Sequence, residues 1–340
     1  MDNETYWETR YRTETLIQDK IYREAADYYE TTWDTTQQNI NDAINRYYAQ
    51  VAKSANPYSE MRTILNNTET KNLKKRITTT LDTTLPTPQT WLKTITTKNK
   101  YTRLQALTAE NTSHLLNAGT KTQTKLTDIL TQVFNLADIF NKHTADAMGV
   151  KFHEASTAQK NALKQQAWLG ENYSTRVWDN MEKLAKDLEY DLPHLFVMGL
   201  PQQDLADRLT RLHNVGYSEA MRLIVTEGRK INTDADSLLY DQLGVKQYRY
   251  LATMDSRTST ICRSLNGEKF AQKDMEVGVN APPMHPNCRS TTIPVVDMSG
   301  VSSQDIYRAE MDAVKTYGPY KQSNGKTRTL DAIRKDLAAL

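Results

Sequence analysis

Apolar side chains recur every three or four residues through the first 50 residues of the chain. This stripe consists of Trp7, Tyr11, Ile17, Ile21, Ala25, Tyr28 and Trp33, with acidic residues between its members. The spacing places the apolar side chains on one face of a long amphipathic α-helix. Because the stripe is built from aromatic residues rather than leucine, a regular coiled coil is not indicated.

Helical periodicity continues over most of the remaining chain. A second stripe is formed by Leu126, Ile129, Leu130, Val133, Ala137 and Phe140. Further helices are expected over residues 155–166, 174–189 and 303–317. Ser218 is expected to cap the start of another helix that runs through Met221 and Ile224. The pattern therefore predicts a predominantly α fold with long N-terminal helices.

The pattern changes between about residue 245 and residue 297. Residues 248–253 are rich in β-forming side chains, and Asn266-Gly267 is a turn signal of the hairpin type. Three prolines exclude a helix over residues 281–288. Residues 291–296 indicate a strand, in which Pro294 favours an edge position. A small α+β module near the C-terminus follows.

Three regions are expected from these changes. Residues 1–169 form a helical N-terminal region with a basic, Thr-rich segment, residues 170–297 contain the module, and residues 298–340 form a helical tail. The first boundary is placed near Leu169-Gly170, at a break between helical patterns.

Composition narrows the class of protein. Hydrophobic residues make up 38% of the 340 residues, and the mean hydropathy is −0.69. Because the net charge is only +2, no global attraction to nucleic acid or membrane is expected. The opening residues are charged and no apolar run follows them, so no secretory signal is expected, and no run in the sequence is long enough to span a bilayer. With two cysteines, the chain is no disulfide scaffold, and a soluble protein made in a reducing cytosol is expected.

Residues 66–103 carry a local excess of positive charge. The basic residues are Lys71, Lys74, Lys75, Arg76, Lys93, Lys98, Lys100 and Arg103, against Glu69 and Asp82. One interpretation is a solvated helix face with a loop. The other is a patch that contacts the phosphates of double-stranded DNA. Aromatic residues are too few here to indicate base stacking.

Cys262, His285 and Cys288 are the candidate metal ligands of the module. His285 and Cys288 are close enough in the sequence to bind one ion, zinc being the ion that thiolate and imidazole favour. A closed zinc site needs a fourth ligand, for which Asp255 is the nearest, weak candidate. Two alternatives are reduced thiols and a histidine in a small core, with no cofactor, and a Cys262–Cys288 disulfide.

Catalytic motifs receive little support. The proline-bound segment offers no oxyanion loop beside His285 and Cys288, and the zinc-deaminase, dinucleotide-binding and phosphate-loop motifs are absent from the sequence. Arg222, Thr226 and Glu227 resemble the scattered residues of nucleotide-using transferases, but their position on one predicted helix favours a structural ion pair. The sequence does not indicate an enzyme.

Three segments together resemble the phage head morphogenesis family, the MuF-like minor head proteins. They are RLIVTE at 222–227, YLATMDSRTSTIC at 250–262 and PPMHPNCRSTT at 282–292, with Gly267 between the last two. Tyr6-Trp7-Glu8 is also similar to the opening of minor capsid proteins of this family. The combined order and spacing are specific, whereas a lone His-Pro-x-Cys is not.

The resemblance implies a low-copy virion protein inside the capsid, made in the host cytoplasm and associated with the portal protein and other head proteins. It implies roles in head assembly and in DNA packaging or ejection. Many relatives have further cysteines where this chain has Ser259 and Ser290, so this chain lacks two potential ligands. Asp255, Arg257, Thr258 and Arg289 are expected to hold the module together, with Asp255 accepting backbone N–H groups or pairing with an arginine.

Three functions are therefore compared. The first is a structural, non-enzymatic phage minor capsid protein. The second is a DNA-binding ejection protein that uses the basic segment. The third is a zinc- or thiol-dependent enzyme centred on Cys262, His285 and Cys288.

Overall fold

Long α-helices dominate the protein. The computed structural model describes residues 2–198 and 202–339, and the side chains among them except those of residues 195, 197, 198 and 202–206. Within that part of the chain the helices are α1 (Asn3–Val51), α2 (Pro57–Met61), α3 (Asn67–Thr80), α4 (Pro86–Thr97), α5 (Arg103–Ala147), α6 (Thr157–Gln165), α7 (Tyr173–Met198), α8 (Gln202–Gln242), α9 (Thr260–Leu265), α10 (Ser303–Tyr317) and α11 (Leu330–Ala338). The predominantly α fold class is confirmed.

The chain forms two compact units. The first consists of Met1–Ala26, Leu126–Tyr173 and Met221–Leu340, and the second of Asp27–Lys125 and Ser174–Ala220. The boundaries expected at residues 169 and 297 stay predictions. None of the described helices reaches the length and apolarity that crossing a bilayer requires.

In the first unit, α1 packs through the aromatic stripe that the sequence predicts. Trp7, Ile17 and Ile21 are buried. Between them lies Arg10, which is 2% exposed and bonds to Asn141 of α5 and, at 3.2 Å, to Asp236 of α8. A buried guanidinium requires such partners, because an unpaired charge in an apolar interior is strongly unfavourable. The paired charges therefore fix how α1, α5 and α8 pack in this unit.

The second unit depends on a close approach between α1 and α8. Gly216 of α8 lies against the indole of Trp33, which is fully buried, and a Cβ at this position would overlap the ring. Ser218, two residues further on, lies inside α8, so the expected N-cap is wrong. The buried face of Leu209, Leu212 and Ala220 continues through this point, and its packing outweighs the capping preference of serine.

A three-stranded antiparallel sheet forms the centre of the C-terminal module. Its strands are β1 (Gln247–Leu251), β2 (Lys269–Ala271) and β3 (Thr291–Pro294), in the order β2-β1-β3. Gly267 forms the expected turn, with a φ of +88°, but α9 separates β1 from β2, so the connection is not a tight hairpin. β3 is an edge strand, as Pro294 indicates.

The C-terminal tail contains one element that the sequence analysis does not predict. Helix α10 has the bounds expected for it, and α11 ends the described chain. Between them, β4 (Tyr320–Lys321) and β5 (Thr327–Arg328) form a two-stranded hairpin over the segment rich in Gly, Ser and Asn. Two-residue strands are too short to produce an alternating hydrophobic pattern.

Candidate functional site

The loop after β1 is organised around Asp255. Both carboxylate oxygens of Asp255 accept hydrogen bonds from the guanidinium of Arg289, at 2.7 and 2.6 Å. The backbone N–H of Arg257 donates to the same carboxylate at 2.8 Å. The bonds from Arg289 and from this N–H hold the pKa of Asp255 well below its usual range, because they stabilise the charged form. The two-pronged pair joins residue 255 to the segment before β3.

Thr258 closes the same loop from its other end. Its hydroxyl donates to the carbonyl of Thr253 at 2.5 Å and accepts the backbone N–H of Asp255 at 2.8 Å. The Thr253 hydroxyl donates to the carbonyl of Arg289 at 3.0 Å. The side chain of Arg257 is different, since it is 77% exposed and its Nε lies 3.9 Å from Asp255. Four residues were expected to hold the module together. Asp255, Thr258 and Arg289 do so through their side chains, whereas Arg257 contributes its backbone N–H.

Two long helices support the segment that carries His285 and Cys288. The hydroxyl of Tyr11, from α1, donates to the carbonyl of Arg289 at 2.9 Å. Thr226 of α8 accepts the backbone N–H of Asn287 at 3.0 Å. Asn287 has a φ of +58°, a left-handed conformation that asparagine tolerates better than most residues. The segment is thus held from two sides of the first unit.

Cys262, His285 and Cys288 converge within this module. Sγ of Cys262 lies 3.3 Å from Nε2 of His285 and 3.7 Å from Sγ of Cys288, and the three ligand atoms all lie within 4.8 Å of one another. Cys262 is placed by α9, whose N-cap Ser259 accepts the backbone N–H of Cys262. The thiols are 2% and 0% exposed, while His285 is half-buried.

Hydrogen bonds orient the three side chains. Nδ1 of His285 lies 2.8 Å from the carbonyl of Pro286, so Nδ1 carries the proton and the lone pair of Nε2 faces Cys262 and Ser259. The hydroxyl of Tyr250 donates to Sγ of Cys262 at 3.2 Å. Burial raises the pKa of Cys262, but hydrogen bonds from Ser259, Ser290 and Tyr250 outweigh it and lower the pKa to about 7.

Asp255 does not join these ligands. Among the described residues, the group of ligand atoms within 4.8 Å of one another contains only the two cysteines and the histidine. Both oxygens of Asp255 are instead bound by Arg289. The cluster therefore offers three protein ligands, which is one fewer than a closed zinc site requires.

Arg222, Thr226 and Glu227 lie on α8, as the sequence indicates. Glu227 is buried, and its carboxylate accepts a hydrogen bond from Nε1 of Trp168 at 3.1 Å. Thr226 donates to the carbonyl of Arg222 at 2.7 Å while its oxygen accepts the N–H of Asn287. Thr226 thus connects α8 to the module, and Glu227 connects α8 to the turn at Trp168.

The basic segment lies in the second unit, on α3, on α4, in the loop after α4 and at the first residue of α5. Arg76 is paired with Glu110 at 3.0 Å, Arg103 is paired with Glu69 at 3.1 Å, and Lys74 donates to the carbonyl of Thr96 at 2.6 Å. The exposed members are Lys71, Lys75, Lys93, Lys98 and Lys100. Five of the eight basic side chains are therefore exposed to solvent.

One cluster of ligand-type side chains is missed by the sequence analysis. Glu30, Asp34 and His213 lie together in the second unit, with Nε2 of His213 at 3.1 Å from the carboxylate of Asp34. The spacing of the two acids on α1 is visible in the sequence. The histidine comes from α8, so no local pattern indicates it.

A comparison with protein-family models matches residues 186–293 to the family of phage Mu protein F like proteins. The matched region contains β1, β2, α9, the cysteine–histidine cluster and β3 up to Ile293. Over these residues the chain is similar to that family, and the resemblance seen in the sequence is confirmed there. The chain carries a phage Mu protein F-like region. Neither the comparison with curated proteins nor that with solved structures found a match.

Proposed function

We propose that the protein is a minor capsid protein of a tailed phage, a non-enzymatic virion component inside the head. In this proposal it is made in the host cytoplasm, associates with the portal protein and other head proteins, and acts in head assembly. The observation that carries the proposal is the family match over residues 186–293, which covers β1, β2 and all but the last residue of β3.

The loop at residues 253–257 supports docking as the activity of the module. Every one of these five residues is exposed, including Met254 at 49%. The bonds of Asp255, Thr258 and Arg289 nevertheless fix the backbone of the loop. A loop that is already ordered loses little conformational entropy when a partner binds, so more of the contact energy appears as affinity.

Burial of the thiols argues against a thiol enzyme. Cys262 and Cys288 are 2% and 0% exposed and lie in an apolar cluster with Tyr250, Ala252 and Met284. A nucleophile must approach its substrate to within about 3–3.5 Å, and these sulfur atoms are covered by protein. This environment suits a structural role for the cysteines.

The test is co-sedimentation of the full chain with portal rings. We expect the wild-type chain to sediment with the rings and Arg257→Glu to bind at least about tenfold more weakly, a loss of ~1.4 kcal/mol, because the exposed charge is reversed on the docking loop. The matched control is Lys273→Glu, a charge reversal at another exposed position of the module, which should bind as the wild type does.

Two results would contradict the proposal. If the wild-type chain does not sediment with portal rings, portal association is wrong. If Arg257→Glu and Lys273→Glu lower binding equally, the 253–257 loop is not the docking site.

A second candidate function is DNA binding during packaging or ejection, through the basic segment. The exposure of Lys71, Lys75, Lys93, Lys98 and Lys100 favours it. Binding of duplex DNA should weaken steeply between 50 and 200 mM salt, since the affinity falls by roughly 10³-fold or more over that range for several phosphate contacts. Lys71→Glu/Lys75→Glu should weaken binding, whereas Lys335→Glu, an exposed control, should not. No binding at low salt would exclude this function.

A further inference from the structure

The cysteine–histidine cluster has the dimensions of a zinc site. In a tetrahedral site with Zn–S near 2.3 Å and Zn–N near 2.05 Å, neighbouring sulfur atoms are about 3.8 Å apart, and sulfur and nitrogen are about 3.6 Å apart. The distance between Sγ of Cys262 and Sγ of Cys288 is 3.7 Å, and that between Sγ of Cys262 and Nε2 of His285 is 3.3 Å. Two edges of the tetrahedron are thus present within a few tenths of an ångström.

The groups around the cluster act as the outer shell of a metal site would. A metal-binding histidine almost always donates its second ring N–H to a carbonyl or carboxylate, and Nδ1 of His285 lies 2.8 Å from the carbonyl of Pro286. The hydroxyl of Tyr250 donates to Sγ of Cys262. Ala252, Met284 and partly buried apolar neighbours line the sulfur atoms. An apolar lining of this kind limits the access of solvent to the bonds between metal and thiolate.

From this geometry we propose that Cys262, His285 and Cys288 bind one Zn²⁺ ion, with a water molecule as the fourth ligand. Each thiol releases its proton on binding, so two protons leave and two thiolates cancel the charge of the ion. His285 binds as the neutral imidazole through Nε2. Two thiolates and one imidazole favour zinc over the hard ions Mg²⁺ and Ca²⁺, which take oxygen ligands.

Ser259 marks the position of the fourth ligand. Its hydroxyl lies 2.8 Å from Nε2 of His285, on the half-buried side of the cluster. A hydroxyl there is suited to accept a hydrogen bond from a metal-bound water. The ion would connect α9 to the segment before β3, and so would stabilise the folded module. This site does not depend on the proposed portal association, since its contacts all lie within the module.

The test uses the full-length chain, reduced, stripped of metal and then loaded with Zn²⁺ before removal of the excess. We expect one zinc per chain by elemental analysis, and background levels in His285→Ala and in Cys288→Ser. His153→Ala, which removes an exposed imidazole elsewhere in the first unit, should keep its zinc. Circular dichroism would establish that each variant is folded.

A measurement on the unaltered chain makes the result independent of how the variants fold. Loaded with Co²⁺ in place of Zn²⁺, the chain should show thiolate-to-metal charge transfer and the strong visible bands of tetrahedral cobalt. The proposal is overturned if the reduced chain keeps no zinc, if both ligand variants keep a full zinc, or if the cobalt spectrum lacks the thiolate band. A stable Cys262–Cys288 disulfide under reducing conditions, seen as a mass lower by two hydrogens, would also overturn it.

Discussion

Replacing Tyr240 with phenylalanine would measure how firmly α8 holds the edge strand of the module. Tyr240 is fully buried, and its hydroxyl donates to the backbone carbonyl of Thr292 at 3.0 Å. Thr292 is itself buried and lies four residues after Cys288. Burial is the main cause that raises the pKa of Tyr240 well above its ordinary value, so the hydroxyl keeps its proton and donates throughout the neutral range.

The expected magnitude follows from the contacts. Phenylalanine fills the same space, so no large cavity forms, and the edge-on contact between the ring of residue 240 and Trp7 is kept. What is lost is the hydrogen bonding of this hydroxyl to the carbonyl and, at 3.2 Å, to the hydroxyl of Thr292, about 1 kcal/mol. The cost of a buried carbonyl without this donor adds about 1–3 kcal/mol when no water replaces it. We therefore expect Tyr240→Phe to lower the free energy of unfolding by roughly 2 kcal/mol.

Urea unfolding followed by circular dichroism gives this free energy, and hydrogen exchange of residues 288–294 reports the same loss locally. The control is Tyr190→Phe, which removes the hydroxyl of a tyrosine that is 72% exposed. It should change stability by less than about 0.5 kcal/mol. If the two variants unfold at the same urea concentration, and residues 288–294 exchange at the wild-type rate in Tyr240→Phe, the bracing role assigned to α8 is wrong.

Two further outcomes are expected. Glu310→Gln should lower the free energy of unfolding by about 2 kcal/mol, because it weakens the charged hydrogen bonds of Arg328 in a pair whose side chains are 9% and 2% exposed, while the pair of Arg328 with Asp336 remains. Asp234→Asn should flatten the pH dependence of stability. Burial raises the pKa of Asp234 to about 6, although Nζ of Lys230 lies 2.6 Å from its carboxylate. The folded state therefore binds the carboxyl proton more tightly than the unfolded chain does. Wild-type stability consequently falls as the pH rises from about 4 to about 6.

Matched variants separate these effects from general damage. Glu24→Gln removes the exposed partner, 62% exposed, of the Lys20–Glu24 pair and should cost less than about 0.5 kcal/mol. A loss as large as that of Glu310→Gln would contradict the argument from burial. For the titration, unfolding free energies are measured between pH 4 and pH 7, with the exposed Asp241→Asn as control. If the unfolding free energy of Asp234→Asn depends on pH as steeply as that of the wild type, another group causes the pH dependence.

Local patterns were sufficient to predict the helical fold and two of the three strands of the module, β1 and β3, whereas β2 was not predicted. The aromatic stripe of α1, the strand composition before residue 252 and the position of Pro294 each act within one element, and each element forms where its pattern indicates. Ser218 shows the limit. Its preference for a cap is a local effect of about 1 kcal/mol, and the buried face that continues through α8 outweighs it.

The candidate site could be predicted only in part, for a different reason. The sequence identifies Cys262, His285 and Cys288 by residue type, and the structure brings them together. The sequence cannot show that Arg289 binds both oxygens of Asp255, because this pairing depends on the distance between two loops. The pairing of His213 with Asp34 is likewise invisible, since 179 residues separate them in the chain.

The first unit joins the two ends of the described chain, which has a consequence for biosynthesis. Asn3 donates to the carbonyl of Pro294 at 2.8 Å, a contact across 291 residues, and Arg10 pairs with Asp236 across 226. At a translation rate of roughly 5–20 residues per second, the ribosome needs about 15–60 s to supply Pro294 after Asn3. Until Tyr240 has been synthesised, Trp7 lacks the ring that it packs against in the folded protein, so this face of the nascent N-terminal helix is an expected substrate for a holding chaperone.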